Sequence, residues 1–143
     1  MNFDVALLQI SPVGNDQDKN LSIGLANCQK ARLLGADLAV FPELWSIGCS
    51  RAPLHDEGRG DWLASAISQQ SKFLQAFAEL AREINLNIAI TFLEAHKPLP
   101  RNSVWIFDTS GAVALKYSKV FICNFGQDEL SKPNPQPNEL VAT

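Results

Sequence analysis

Short apolar runs alternating with stretches of helical period constrain this chain more than any other feature. Residues 3–10 (FDVALLQI) form a compact apolar run, and Ser-Pro-Val-Gly-Asn follows at once, which is the pattern of a buried strand ending in a loop. Asn15 or Asp16 is placed to cap a helix whose apolar residues Leu21, Leu25, Cys28 and Ala31 recur at steps of four, three and three. Gly35 supplies the stop, so the spacing predicts a helix over 16–34. Residues 37–41 (DLAVF), closed by Pro42, suit a second buried strand, parallel to the first because a helix intervenes. The unit is βαβ.

Residues 47–60 hold Gly, Pro, Asp and Arg without apolar period and read as a long surface connection. A second helix follows, with Phe73, Phe77, Leu80 and Ile84 on one face and Glu79 and Glu83 turned away from it. Residues 87–93 (NIAITFL) give a third buried strand. Residues 103–108 (SVWIFD) and 112–117 (AVALKY) flank Thr109-Ser110-Gly111, a turn signal between two strand-like runs, and so predict a hairpin. After Gly126 the composition changes: Pro133, Pro135 and Pro137 alternate with polar residues, and residues 127–143 read as loop or disordered tail.

A chain of 143 residues, 46% hydrophobic and 19% charged, has the length and balance of one globular domain. Such a chain can bury roughly 70% of its unfolded surface, enough for a core without a metal or disulfide staple. Twelve Lys and Arg stand against 15 Asp and Glu, a net charge of −3, and the basic residues are scattered singly. That argues against nucleic acid as a partner. No apolar run approaches the roughly 20 residues that span a bilayer, and residues 1–11 lack a basic leader region. The expectation is a cytoplasmic protein with no membrane partner. Cys28, Cys49 and Cys123 are an odd number without metal-ligand spacing, so no metal and reduced thiols are expected.

Two residues carry candidate chemistry. Glu43, in Phe41-Pro42-Glu43-Leu44-Trp45, stands directly after a buried strand, at the carboxyl end where open α/β sheets hold their sites. Its apolar neighbours disfavour the charged form and would tune it toward general acid and base work. A glutamate so placed can equally do no more than bond to loop amides. Lys119, in Tyr117-Ser118-Lys119-Val120-Phe121, is a single cation in a mostly apolar stretch. It either snorkels to the surface or, paired with a glutamate, stabilises a developing oxyanion.

In this order and context the two sites resemble the amino-terminal half of the nitrilase, or carbon-nitrogen hydrolase, superfamily. The matching pieces are FDVALLQISPV, GADLAVFPELWSIGC, FLQAFAELAREINLNIAITFLE, RNSVWIFDTSGAVALKYSKV and FICNFG, together covering residues 1–126. FPEL followed, after the hairpin, by Y-x-K-V is the specific combination. The resemblance implies an α/β fold, the nitrilase-like αββα sandwich, here its incomplete amino-terminal half. It implies hydrolysis of a non-peptide C–N bond in a small amide or nitrile by a Glu, Lys and Cys triad, with no cofactor. Glu43 matches the general base and Lys119 the oxyanion-stabilising lysine, while Glu129 lies where many members place a supporting glutamate. Trp45, beside Glu43, is a candidate for substrate contact.

The family's nucleophilic cysteine comes on a strand and elbow well beyond the lysine, and no matching segment is found here. Cys123, four positions after Lys119, reads as a small buried hydrophobe; Cys49 as a residue of the loop after Glu43; and Cys28 as helix packing. Without a thiolate the Glu and Lys form a site without an attacking atom. The expectations are a hydrolase half inactive alone, working as a homo-oligomer or with a complementing half, or a non-catalytic oligomerisation or interaction module on the same fold.

Overall fold

The computed structural model describes residues 2–48, 57–120 and 141–142. One six-stranded sheet runs in the order β1 (Val5–Leu7), β2 (Leu38–Val40), β3 (Asn87–Glu94), β4 (Arg101–Phe107), β5 (Val113–Ser118) and β6 (Val141–Ala142). The first three strands are parallel and the rest antiparallel. The helices are α1 (Gln17–Leu33), α2 (Arg59–Ala64) and α3 (Lys72–Ile84). The crossovers through α1 and α3 join neighbouring parallel strands, and both helices pack into one core on one face of the sheet.

Local signals explain the boundaries. The Asp16 side chain accepts the Lys19 amide at 3.0 Å and opens α1. Gly35, at φ 92°, ends it, with its own amide donating to the Arg32 carbonyl. Ser71 caps α3 through the Leu74 amide, and Asn85 takes the left-handed position at its end. In the β4–β5 hairpin the Asp108 carboxylate accepts from the Ser110 and Ala112 amides and closes the turn.

The core lies between the helices and the sheet. Phe41, Trp45 and Phe77 meet ring to ring, and Phe77 continues to Phe73, while Phe92, Trp105 and Phe107 form a second aromatic row on the sheet. Helix α1 approaches the first group at Gly24, where a Cβ would stand 2.8 Å from Phe77 Cζ and 3.0 Å from Trp45 Nε1.

Four expectations need correction. Residues 3–10 are not a strand buried on both faces: β1 has three residues at a sheet edge, where Val5 and Leu7 are exposed and Ala6 turns toward the core. The buried stripe of α1 runs through Asn20, Gly24, Cys28 and Ala31, whereas Leu21 and Leu25 are only half-buried. Asn20 displaces leucine because it is fully bonded, accepting from the Val13 amide and donating to the carbonyls of Gly14 and Ser46. The 47–60 connection does not begin at the surface, since Ile47 is fully buried, and it ends in α2. Val141 and Ala142 pair with β5 instead of lying in a loop; the rest of the 127–143 stretch lies outside the described residues.

Candidate active site

The site is built where β2 and β5 end and β4 begins. Pro42 has no amide hydrogen and closes β2, after which the chain turns through Glu43 and Leu44, the latter at φ 51°. Ser46 ties this turn to the sheet by accepting the Leu93 amide at 3.1 Å. Across the sheet, the pairing of β4 with β5 continues one step past Ser118, because the Lys119 amide donates to the Asn102 carbonyl at 2.8 Å. Asn102 and Lys119 therefore stand side by side, on the face away from the helices, as alternation from Ser103 and Ser118 requires.

Glu43 meets both. Its Oε1 accepts from Lys119 Nζ at 2.6 Å and from Asn102 Nδ2 at 2.7 Å. Seventy-six positions of sequence separate Glu43 from Lys119, so their meeting is a product of the fold and not of local chain geometry. The Lys119 hydrogen bond holds the Glu43 carboxyl below its ordinary value; burial opposes this, and the Asn102 bond and the charge of Lys119 add to it. The apolar neighbours thus do not push Glu43 toward neutrality as expected. About half of its side chain is exposed, and its cationic partner outweighs the desolvation.

The other candidates fall differently. Trp45 is fully buried, its indole Nε1 donates to the Asn20 carbonyl at 3.0 Å, and its ring packs on Phe41. It belongs to the core on the helix side, which removes it as a wall for substrate. Cys28 is buried on α1, and burial pushes its thiol up to about 12, so it is inert as a nucleophile. Glu129, Cys49 and Cys123 lie outside the described residues. Among the described residues no group of three or more His, Cys, Asp or Glu is arranged to hold a metal ion, and no helix is long and apolar enough to cross a membrane.

Sequence reasoning missed two features. Asn102 is one; its signal was a polar residue opening an otherwise apolar strand, two positions before Val104. The other is a buried polar cluster beneath the strand ends, on the helix side. Glu94, 7% exposed, accepts from Gln69 Nε2 at 3.0 Å and from the Ser103 hydroxyl at 2.6 Å, and Ser103 bonds Ser118 at 2.8 Å. This cluster pins the ends of β3, β4 and β5 together directly behind Asn102 and Lys119.

Comparison with known proteins agrees with this architecture. The profile of the carbon-nitrogen hydrolase family matches residues 4–141, and the chain belongs to that family. Among solved structures, an amidase from Nesterenkonia sp. superposes with a TM-score of 0.74 at 20% identity, covering 99% of this chain and 51% of the other. A variant of the Nesterenkonia sp. AN1 amidase in complex with butyramide gives 0.75 at 20% identity, covering 99% and 52%. Both show the nitrilase-superfamily fold, of which this chain forms one helix-covered sheet. A glutamine-dependent NAD(+) synthetase of Thermotoga maritima is 26% identical over 122 residues, 85% of this chain and 20% of that protein. The chain thus spans about half the length of the solved amidases and a fifth of the synthetase.

Proposed function

We propose that this chain supplies the base and the oxyanion-stabilising cation of a carbon-nitrogen hydrolase that cleaves the C–N bond of a small amide or nitrile. The observation that carries the reading is the convergence of Lys119 and Asn102 on Oε1 of Glu43. A thiol from outside these 143 residues attacks the carbonyl carbon. Its proton passes to Glu43 through Oε2, on which no described residue donates a hydrogen bond, and the C–S bond forms as the carbonyl becomes an oxyanion facing Lys119. Collapse breaks the C–N bond, Glu43 returns the proton to the leaving ammonia or amine, and a thioester remains. Glu43 then takes a proton from the water that cleaves it. A variant of the Nesterenkonia amidase carries the acetamide moiety of fluoroacetamide covalently added at its active-site cysteine, which supports covalent chemistry as the family's route.

In this reading the chain is inactive alone and works in the cytoplasm as a homo-oligomer or with a complementing half. The apolar sheet face away from the helices, with Val5 and Leu7 exposed on the edge strand, supports association. The experiment is ammonia release from small primary amides by the protein completed with a cysteine-bearing half. Glu43→Gln is expected to lower turnover by about 10²–10⁴-fold, the usual worth of a positioned acid or base. Undiminished turnover removes Glu43 from its role, and a specific assembly that never releases ammonia favours the non-catalytic interaction module.

A further inference from the structure

The parallel pairing of β2 with β3 ends abruptly. The Phe41 amide donates to the Ala89 carbonyl at 3.1 Å, and the next residue is Pro42, which has no donor. Backbone pairing therefore stops one residue before the glutamate that the site must place. Thr91 stands two residues beyond Ala89 on β3, on the face away from the helices. Its hydroxyl donates to the Pro42 carbonyl and accepts the Trp45 amide at 3.1 Å. One hydroxyl thus bonds the residue before Glu43 and the residue two after it. Between them Leu44 sits at φ 51°, a conformation that non-glycine residues keep only where the surroundings hold them in it.

We propose that Thr91 is a positioning residue: its hydroxyl replaces the strand pairing that Pro42 forbids and thereby fixes Glu43 against Lys119 and Asn102. The Thr91 hydroxyl is bonded to Pro42 and Trp45, on either side of Glu43, so its effect passes through the turn. Hydrogen bonds of 2.6 and 2.7 Å weaken steeply with small displacements. Loosening the turn should therefore release Glu43 toward ordinary glutamate behaviour while leaving distant carboxylates unchanged.

The measurement is a carboxyl ¹³C NMR titration of the full 143-residue chain as wild type, Thr91→Val and Thr91→Ser. Valine keeps the shape and removes the hydroxyl; serine keeps the hydroxyl. In Thr91→Val the Glu43 midpoint is expected to move upward, whereas Asp16, held by Lys19 at the start of α1, stays in place. Thr91→Ser is expected to keep the wild-type midpoint. A folded Thr91→Val protein with an unmoved Glu43 overturns the proposal. If Thr91→Val unfolds, so that all carboxylates move together, Thr91→Ser decides: a wild-type Glu43 midpoint supports the role and a raised one overturns it. The proposal deepens the reading of Glu43 as a base, but turnover is not used. Glu43→Gln can therefore fail in the completed enzyme while Thr91 stands, and the reverse.

Discussion

The two faces of the sheet are built from equally apolar residues and treated in opposite ways. On the helix side Ala39, Ile88, Ile90, Phe92, Trp105 and Phe107 are all buried. On the other side Val5 and Leu7 are exposed and Val40, Val104, Ile106, Leu115 and Tyr117 half-buried, while Ala89 and Leu93 are buried. Glu43, Asn102 and Lys119 emerge on that second side. The difference teaches that stability and candidate chemistry are drawn from opposite sides of one sheet, so substitutions should separate them.

The largest effect is expected on the helix side. Phe77 is fully buried and packs against Phe41 and Phe73 at ring separations of 5.2 and 5.3 Å. Phe77→Ala should cost about 3–5 kcal/mol by loss of burial and creation of a cavity. Leu7→Ser, on the open edge, should stay within about 0.5 kcal/mol. Urea denaturation of both variants checks the contrast, and equal losses would mean that the second face is as tightly covered as the first.

A smaller effect probes the same core from the backbone. Gly24→Ala places a methyl 2.8 Å from Phe77 Cζ, 3.0 Å from Trp45 Nε1 and 3.1 Å from Phe41 Cε1. Overpacking of about 1–3 kcal/mol then opposes a helix-propensity gain of about 1 kcal/mol. Phe41 packs against both of the other rings and Phe77 also against Phe73, so none can yield freely, and a net loss of about 1–2 kcal/mol is expected in the same denaturation measurement. A stabilised Gly24→Ala protein would mean that the rings repack and that the core is looser than its contacts imply.

The βαβ unit, α3 and the hairpin were legible because each rests on local signals: Asp16, Gly35, Ser71, Pro42 and the Asp108 turn act within a few residues of themselves. The pairing of Glu43 with Lys119 was legible only through the family resemblance, since no local rule spans 76 positions. Periodicity placed α1 and the Cys28 and Ala31 end of its buried stripe, but put Leu21 and Leu25 where Asn20 and Gly24 stand, because it counts apolar residues, while Asn20 and Gly24 hold the core by satisfied hydrogen bonds and by close approach. The run at 3–10 reported apolarity correctly but not how many faces are covered, which depends on strands and helices far along the chain. Thr91 was invisible for a related reason: its partners lie 46 and 49 positions away, and a threonine in a strand ordinarily signals nothing beyond β propensity.

An effect on stability smaller than that of Gly24→Ala falls at the residue with the largest expected effect on turnover. Glu43 has its folded value held below the ordinary 4.5, first by the Lys119 hydrogen bond. A depressed carboxylate favours the folded state fully above the unfolded value, and that contribution fades as pH falls through the lower folded value. Because the Glu43 side chain is 48% exposed and that of Lys119 34%, solvent screens the pair, and its worth is at most about 1 kcal/mol. Wild type should therefore exceed Glu43→Gln in stability by no more than that at pH 7 in low salt. The gap should shrink as salt is added and close as pH drops below 4.5. Denaturation of both proteins from pH 7 to pH 3, at low and high salt, reads it directly. A gap that survives once the Glu43 carboxyl is fully protonated in the folded protein would show that the glutamate holds the turn by shape instead of charge, and the division between a stabilising face and a chemical face would then fail at its most important residue.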